Sequence, residues 1–213
     1  MAYAHWLAFE VLAIVRANRF WMTWNLFLAF IPACLAVALF WPPHRRTVWW
    51  WCGVGVFVLF LPNAPYVITD LIHMRPDAAN AASDGVLVFG VLPLYAAFVA
   101  VGFCFFLVCL ELIVREVQTT RIDIPRWTIE LTTYAVCAFG IVLGRMARLN
   151  SWDTVQHPRW TAEQVFNTLT WKGSPVAFAA IFLAVLLTTA VMRGLLAPVI
   201  ALASYTRKRL AFI

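Results

Sequence analysis

An all-α bundle embedded in a membrane is the fold class this sequence predicts, and three observations predict it. The chain of 213 residues is 63% hydrophobic and only 12% charged, against roughly 45–50% and 25% in a soluble domain. Its mean hydropathy is +0.83. The apolar residues fall in long runs broken by short polar stretches, and so few charges cannot cover a globular surface in water. The expectation is an integral membrane helical bundle of about six spans, one polytopic domain over 1–213, with a short polar-faced helix and an interfacial helix.

Each element follows from the order of residues. Residues 2–15 are apolar but short and carry Glu10, so they predict a marginal first span closed by Arg16 and Arg19. Residues 21–40 are long enough to cross a hydrocarbon core of about 30 Å at roughly 1.5 Å per residue. Asn25 and Pro32 inside them need neighbouring helices to satisfy polar groups. A tight loop at 42–46 leads to 48–61, a short apolar run opened by Trp49, Trp50 and Trp51, an interfacial aromatic belt. A long span at 86–114 should kink at Pro93, and another covers 128–147. Thr161 and Gln164 form a capping box for a helix ended by Gly173. The Ala162, Val165, Phe166 and Leu169 stripe of that helix suits the membrane interface. The last span is 175–192, continued past Arg193 and Gly194, with a basic tail after Tyr205.

The net charge is +6 and the pI about 9.4, but the basic residues flank apolar segments, a pattern for anionic lipid rather than nucleic acid. Cys34, Cys52, Cys104, Cys109 and Cys137 lie in apolar runs without C-x-x-C and read as small buried hydrophobes. No removable signal peptide is expected. Glu10, Glu111 and Glu130, near span ends, suggest snorkelling or interhelical pairing. Gly53 and Gly55 suggest close helix packing. With six spans, Arg45, Arg46, Arg115, Arg121, Arg126 and the tail (Arg207, Lys208, Arg209) share one side. Arg16, Arg19, Arg75, Arg145, Arg148, Arg159 and Lys172 share the other. The weak bias favours cytoplasmic termini, and with five spans and an external N-terminus the two polar stretches still face outward.

Those two stretches carry the candidate chemistry. In 62–76, Pro65 suits the first helical position and Pro76 a stop. Tyr66, Thr69, Asp70 and His73, at i, i+3, i+4 and i+7, then share one face. The second stretch, 144–160, supplies Arg145, Arg148, Asn150, Ser151, Trp152, Asp153 and His157. Polar groups at this depth are expensive unless paired, and three readings compete. In the structural one, Asp70 and Asp153 pair with Arg145 or Arg148 and pin the loops together. In the catalytic one, Asp70 and His73 ligate a divalent metal, with Asp153 as third ligand or general base. In the binding one, Arg145 and Arg148, with Arg75, grip an anionic lipid head group or small solute, supported by Asn63, Tyr66, Asn150 and Trp152. Ser151 has no base at a fixed spacing. The substrate and the existence of any reaction stay open.

Three segments carry a resemblance: W-N-L-F-L-A-F-I-P at 24–32, L-P-N-A-P-Y-V-I-T-D-L-I-H at 61–73 and R-L-N-S-W-D at 148–153. In them the chain resembles a family of bacterial multi-pass membrane proteins, domain of unknown function 1361. Met74 stands where that family often has Leu. The resemblance implies an integral membrane protein and no particular reaction.

Overall fold

No glycine or proline interrupts residues 2–31, and in the computed structural model they belong to one helix, α1 (Ala2–Phe40), of 39 residues. The structure describes residues 2–41, 46–120, 123–149 and 151–210, so the 42–45 loop, Arg121 and Asn150 lie outside the described residues. The separate first span expected at 2–15 is corrected. Arg16 and Arg19 are exposed, and long basic side chains can leave a helix surface without breaking its backbone. Among the described residues five helical runs, rather than about six, are long and apolar enough to cross a membrane.

α2 (Val48–Phe60) opens where the Thr47 hydroxyl accepts the Trp50 N–H at 3.3 Å, an N-cap. It does not end at a surface. The chain continues through α3 (Asn63–Tyr66), a seven-residue 3₁₀ run (Val67–His73) and α4 (Met74–Ala79). Two corrections follow. Pro65 lies inside the first turn rather than opening it, and Pro76, third residue of α4, continues the chain because a first turn tolerates proline's missing N–H. After α5 (Asp84–Val86) comes a π turn (Leu87–Val91), then α6 (Leu92–Gln118) with Pro93 as its second residue. The distortion expected at Pro93 is taken up by that widened turn just upstream.

α7 (Arg126–Met146), the one-turn α8 (Asp153–Gln156), α9 (Pro158–Thr170) and α10 (Ser174–Leu210) complete the chain. α9 opens at Pro158 with His157 as N-cap, not at a Thr161 capping box. Thr161 is buried in the first turn, and its hydroxyl has no partner among the described residues. The stripe expected to meet the membrane does point away from the protein: Phe166 and Leu169 are exposed.

Side-chain pairs fix how the helices run. Trp21 meets Phe98, Phe30 meets Phe105 and Arg115 lies over Trp41, so α1 and α6 are parallel neighbours. Phe57 against Phe40, then Asp70 against Asn25 and Asp77 against Asn18, carry 48–79 antiparallel along α1. Glu111 with Arg126, and Glu130 with Arg193, turn α7 back along α6 and α10 back along α7. The charged pairs expected at span ends are these interhelical ones. α6 supplies much of the core, including Tyr95, Phe103, Phe106 and Leu110. Cys109 and Cys137 are buried as expected, whereas Cys34 and Cys52 are exposed on the outer helix surfaces.

Two glycines let the broken run wedge into the bundle. A Cβ on Gly140 would stand 2.3 Å from Pro62 Cγ, and one on Gly102 would stand 2.5 Å from Val67 Cγ2. Only hydrogen fits at either contact. Arg19 to Trp41 along α1 is roughly 33 Å at 1.5 Å per residue, close to the apolar thickness of about 30 Å. Asn25 and its partner Asp70 therefore sit roughly 9 Å inside the level of Arg19.

Candidate functional site

At that depth the two polar stretches meet. Arg145, in the last turn of α7, donates from Nη2 to Asp70 Oδ1 at 2.8 Å. Its Nε donates to Thr69 Oγ1 at 2.9 Å, and Thr69 in turn donates to the Tyr66 carbonyl at 2.7 Å. The Arg145 guanidinium also lies 5.0 Å from the Tyr66 ring centroid, a cation–π contact. Asn25 of α1 donates to Asp70 Oδ2 at 2.8 Å. Both carboxylate oxygens are therefore engaged, and the Asp70 side chain is 4% exposed against 29% for Arg145. A carboxylate this deep persists only when paired and hydrogen-bonded.

The 3₁₀ backbone changes which residues share a face. At three residues per turn, side chains at i and i+3 eclipse. Tyr66 and Thr69 form one column, which Arg145 contacts. Val67 and Asp70 form the next, and both are buried. The expected single α-helical face of Tyr66, Thr69, Asp70 and His73 is thus divided. The His73 ring packs on Trp21, centroids 4.9 Å apart. A second network lies beside it: Asp77 Oδ2 accepts from Asn18 at 2.8 Å and from the Tyr95 hydroxyl at 2.9 Å. Trp21 Nε1 donates to Asn18 Oδ1 at 2.8 Å.

The metal reading fares differently. Among the described residues no three His, Cys, Asp or Glu side chains gather as a cation site. Asp70, His73 and Asp153 are therefore not assembled as three ligands, because Asp70 turns to Arg145 and Asn25 while His73 turns to Trp21. Asp153, in the first turn of α8, has interactions of its own.

The loop after α7 completes the site. Ser151 Oγ donates to the Leu59 carbonyl at 3.0 Å and accepts from Asn63 Nδ2 at 3.1 Å. Ser151 is thus a brace between loop and broken helix. Arg148 adopts φ 53°, the left-handed region that an L side chain seldom occupies. Glycine or asparagine usually takes this place just past a helix end. Around these groups lies a cavity of about 440 Å³, whose walls include Trp24, Tyr66, Arg145, Arg148 and Trp152. Of the sequence candidates, Asn63, Tyr66, Arg145, Arg148 and Trp152 come together at this cavity, with Asp70 immediately behind Arg145. Asn25, Trp24 and Leu28 also line it. Reading the sequence marked Asn25 only as a polar group in want of a neighbour.

Comparisons with curated proteins and with solved structures find no match. A comparison with protein families matches residues 24–189, a range that contains every wall of the cavity. The chain is an all-helical, multi-pass membrane protein, and it belongs to the family described as protein of unknown function DUF1361.

Proposed function

We propose that this cavity binds an anionic group, a lipid head group or a small solute, on the extracytoplasmic side of a bacterial cytoplasmic membrane. The observation that carries the reading is Arg148. It lines the cavity, makes no hydrogen bond or ion pair among the described residues, and holds a backbone conformation that disfavours a side chain by about 1–2 kcal/mol. Glycine at 148 would relieve that strain, so the guanidinium is what the position retains. Behind it, Arg145 has its Nε and Nη2 committed, while Nη1 has no partner among the described residues. Two guanidinium groups against one buried carboxylate leave the cavity a net positive charge, and guanidinium suits phosphate or carboxylate.

Five spans support this orientation in place of two cytoplasmic termini, since they put the N-terminus and the cavity on one side and the C-terminus on the other. Arg46, Arg115 and Arg126, at the end of the bundle away from the cavity, then face the cytoplasm, as the positive-inside tendency favours. A metal-assisted hydrolase or transferase at Asp70 and His73 has less support, since both Asp70 oxygens already have donors.

Native mass spectrometry of protein extracted from its own membrane tests the reading. An anionic adduct should accompany the native chain and be lost from Arg148→Gly, with thermal melting unchanged or improved. An adduct equally abundant on both proteins, or found on neither, overturns it.

A further inference from the structure

The cavity is not walled by polar residues alone. Trp24 and Leu28, on α1, close one side of it. Trp24 is also the wall of a neighbouring apolar groove of about 520 Å³, formed with Arg19, Phe20, Thr23 and Phe27 on the outer surface of α1. Phe20, Trp24 and Phe27, at i, i+4 and i+7, share one exposed face of that helix. Within the span such a face meets lipid chains. The Trp24 and Phe27 rings pair at 5.8 Å, making a ridge along it. A single indole thus separates a cationic chamber from a lipid-facing channel. A site for a water-soluble anion has no use for an apolar groove at its side, and the shared Trp24 lies roughly 7.5 Å inside the level of Arg19.

Building on the anion reading above, we infer that the ligand is an anionic phospholipid that enters sideways from the outer leaflet. Its phosphate meets Arg148 with Arg145 behind, and one acyl chain lies over Trp24 and along Phe27. Arg19, at the outer end of the groove, adds attraction for the approaching head group. The two halves of an amphiphile match the two compartments. Trp24 is the point at which head and tail are told apart, because it borders both compartments and an indole carries both broad apolar area and one N–H donor.

The test uses the full chain in phosphatidylcholine nanodiscs doped with phosphatidylglycerol, with retained lipid counted by native mass spectrometry and glycerol phosphate as water-soluble competitor. Phosphatidylglycerol should be enriched over phosphatidylcholine, and millimolar glycerol phosphate should leave it in place. Arg148→Gly should lower the enrichment roughly tenfold, the loss of one charge-assisted contact. Trp24→Ala should lower it roughly fivefold, through lost apolar contact. If glycerol phosphate binds natively and displaces the lipid, with Trp24→Ala without effect, the amphiphile is wrong and the anion site stands. If neither ligand binds, or Arg148→Gly changes nothing in a protein that melts normally, the anion site itself is wrong.

Discussion

The Asp70–Arg145 pair makes an asymmetric prediction, because its two members differ in burial. Arg145→Met removes the only cation, among the described residues, bonded to a carboxylate that is 4% exposed, leaving Asn25 as its remaining described donor. Stranding a buried charge in this way costs about 3–5 kcal/mol. Asp70→Asn instead leaves a guanidinium that is 29% exposed and still held by Thr69 and the Tyr66 ring. That change should cost about 1.5–3 kcal/mol, the scale of a lost hydrogen bond to a charged group. In Asp70→Asn/Arg145→Met no stranded charge remains, so the double variant should be more stable than Arg145→Met alone, with a coupling of about 2 kcal/mol or more. Reversible unfolding in mixed micelles, followed by tryptophan fluorescence, supplies all four corners of the cycle. An Arg145→Met variant more stable than Asp70→Asn, or a coupling below about 0.5 kcal/mol, would refute the reasoning.

Three further outcomes are expected. Gly140→Leu drives a side chain into Pro62 and should cost at least about 3 kcal/mol or prevent folding; a Gly140→Leu protein that melts like the native one disproves the wedge. Elemental analysis of the purified chain should find no stoichiometric divalent metal that disappears in His73→Ala, and a molar equivalent lost in that variant would restore the metal reading. Phe166→Asp with Leu169→Asp should loosen α9 from vesicles in protease-protection assays while leaving bundle melting within about 0.5 kcal/mol, as for surface changes elsewhere; a large fall in melting would mean that the stripe packs inside the protein.

Reading the sequence located the bundle and the meeting of its two polar stretches because both rest on strong signals. Long apolar runs define spans, and an acid and an arginine lodged in them demand each other. Other features leave no such trace. Nothing in V-I-T-D-L-I-H separates an α-helix from a 3₁₀ run, and the close seats that Gly102 and Gly140 give Val67 and Pro62 lie far away in sequence. Asn25 is one amide in a long apolar helix, and its partner is 45 residues away. Residues 2–15 look separate from 21–40 by hydropathy, yet two arginines without glycine or proline do not stop a helix. The left-handed backbone at Arg148 is invisible to composition, because arginine is not the residue that announces it.

The tightened coil at Val67–His73 is wound like a screw. A 3₁₀ turn advances about 2.0 Å and 120° per residue where an α turn advances about 1.5 Å and 100°, so seven residues relaxing to α would shorten by roughly 3.5 Å and rotate by roughly 140°. Such unwinding would swing Asp77 away from Asn18 and Tyr95 while it pulled α4 toward the bilayer centre. The salt link between Asp70 and Arg145 ties this coil to the last turn of α7 and opposes such a rotation.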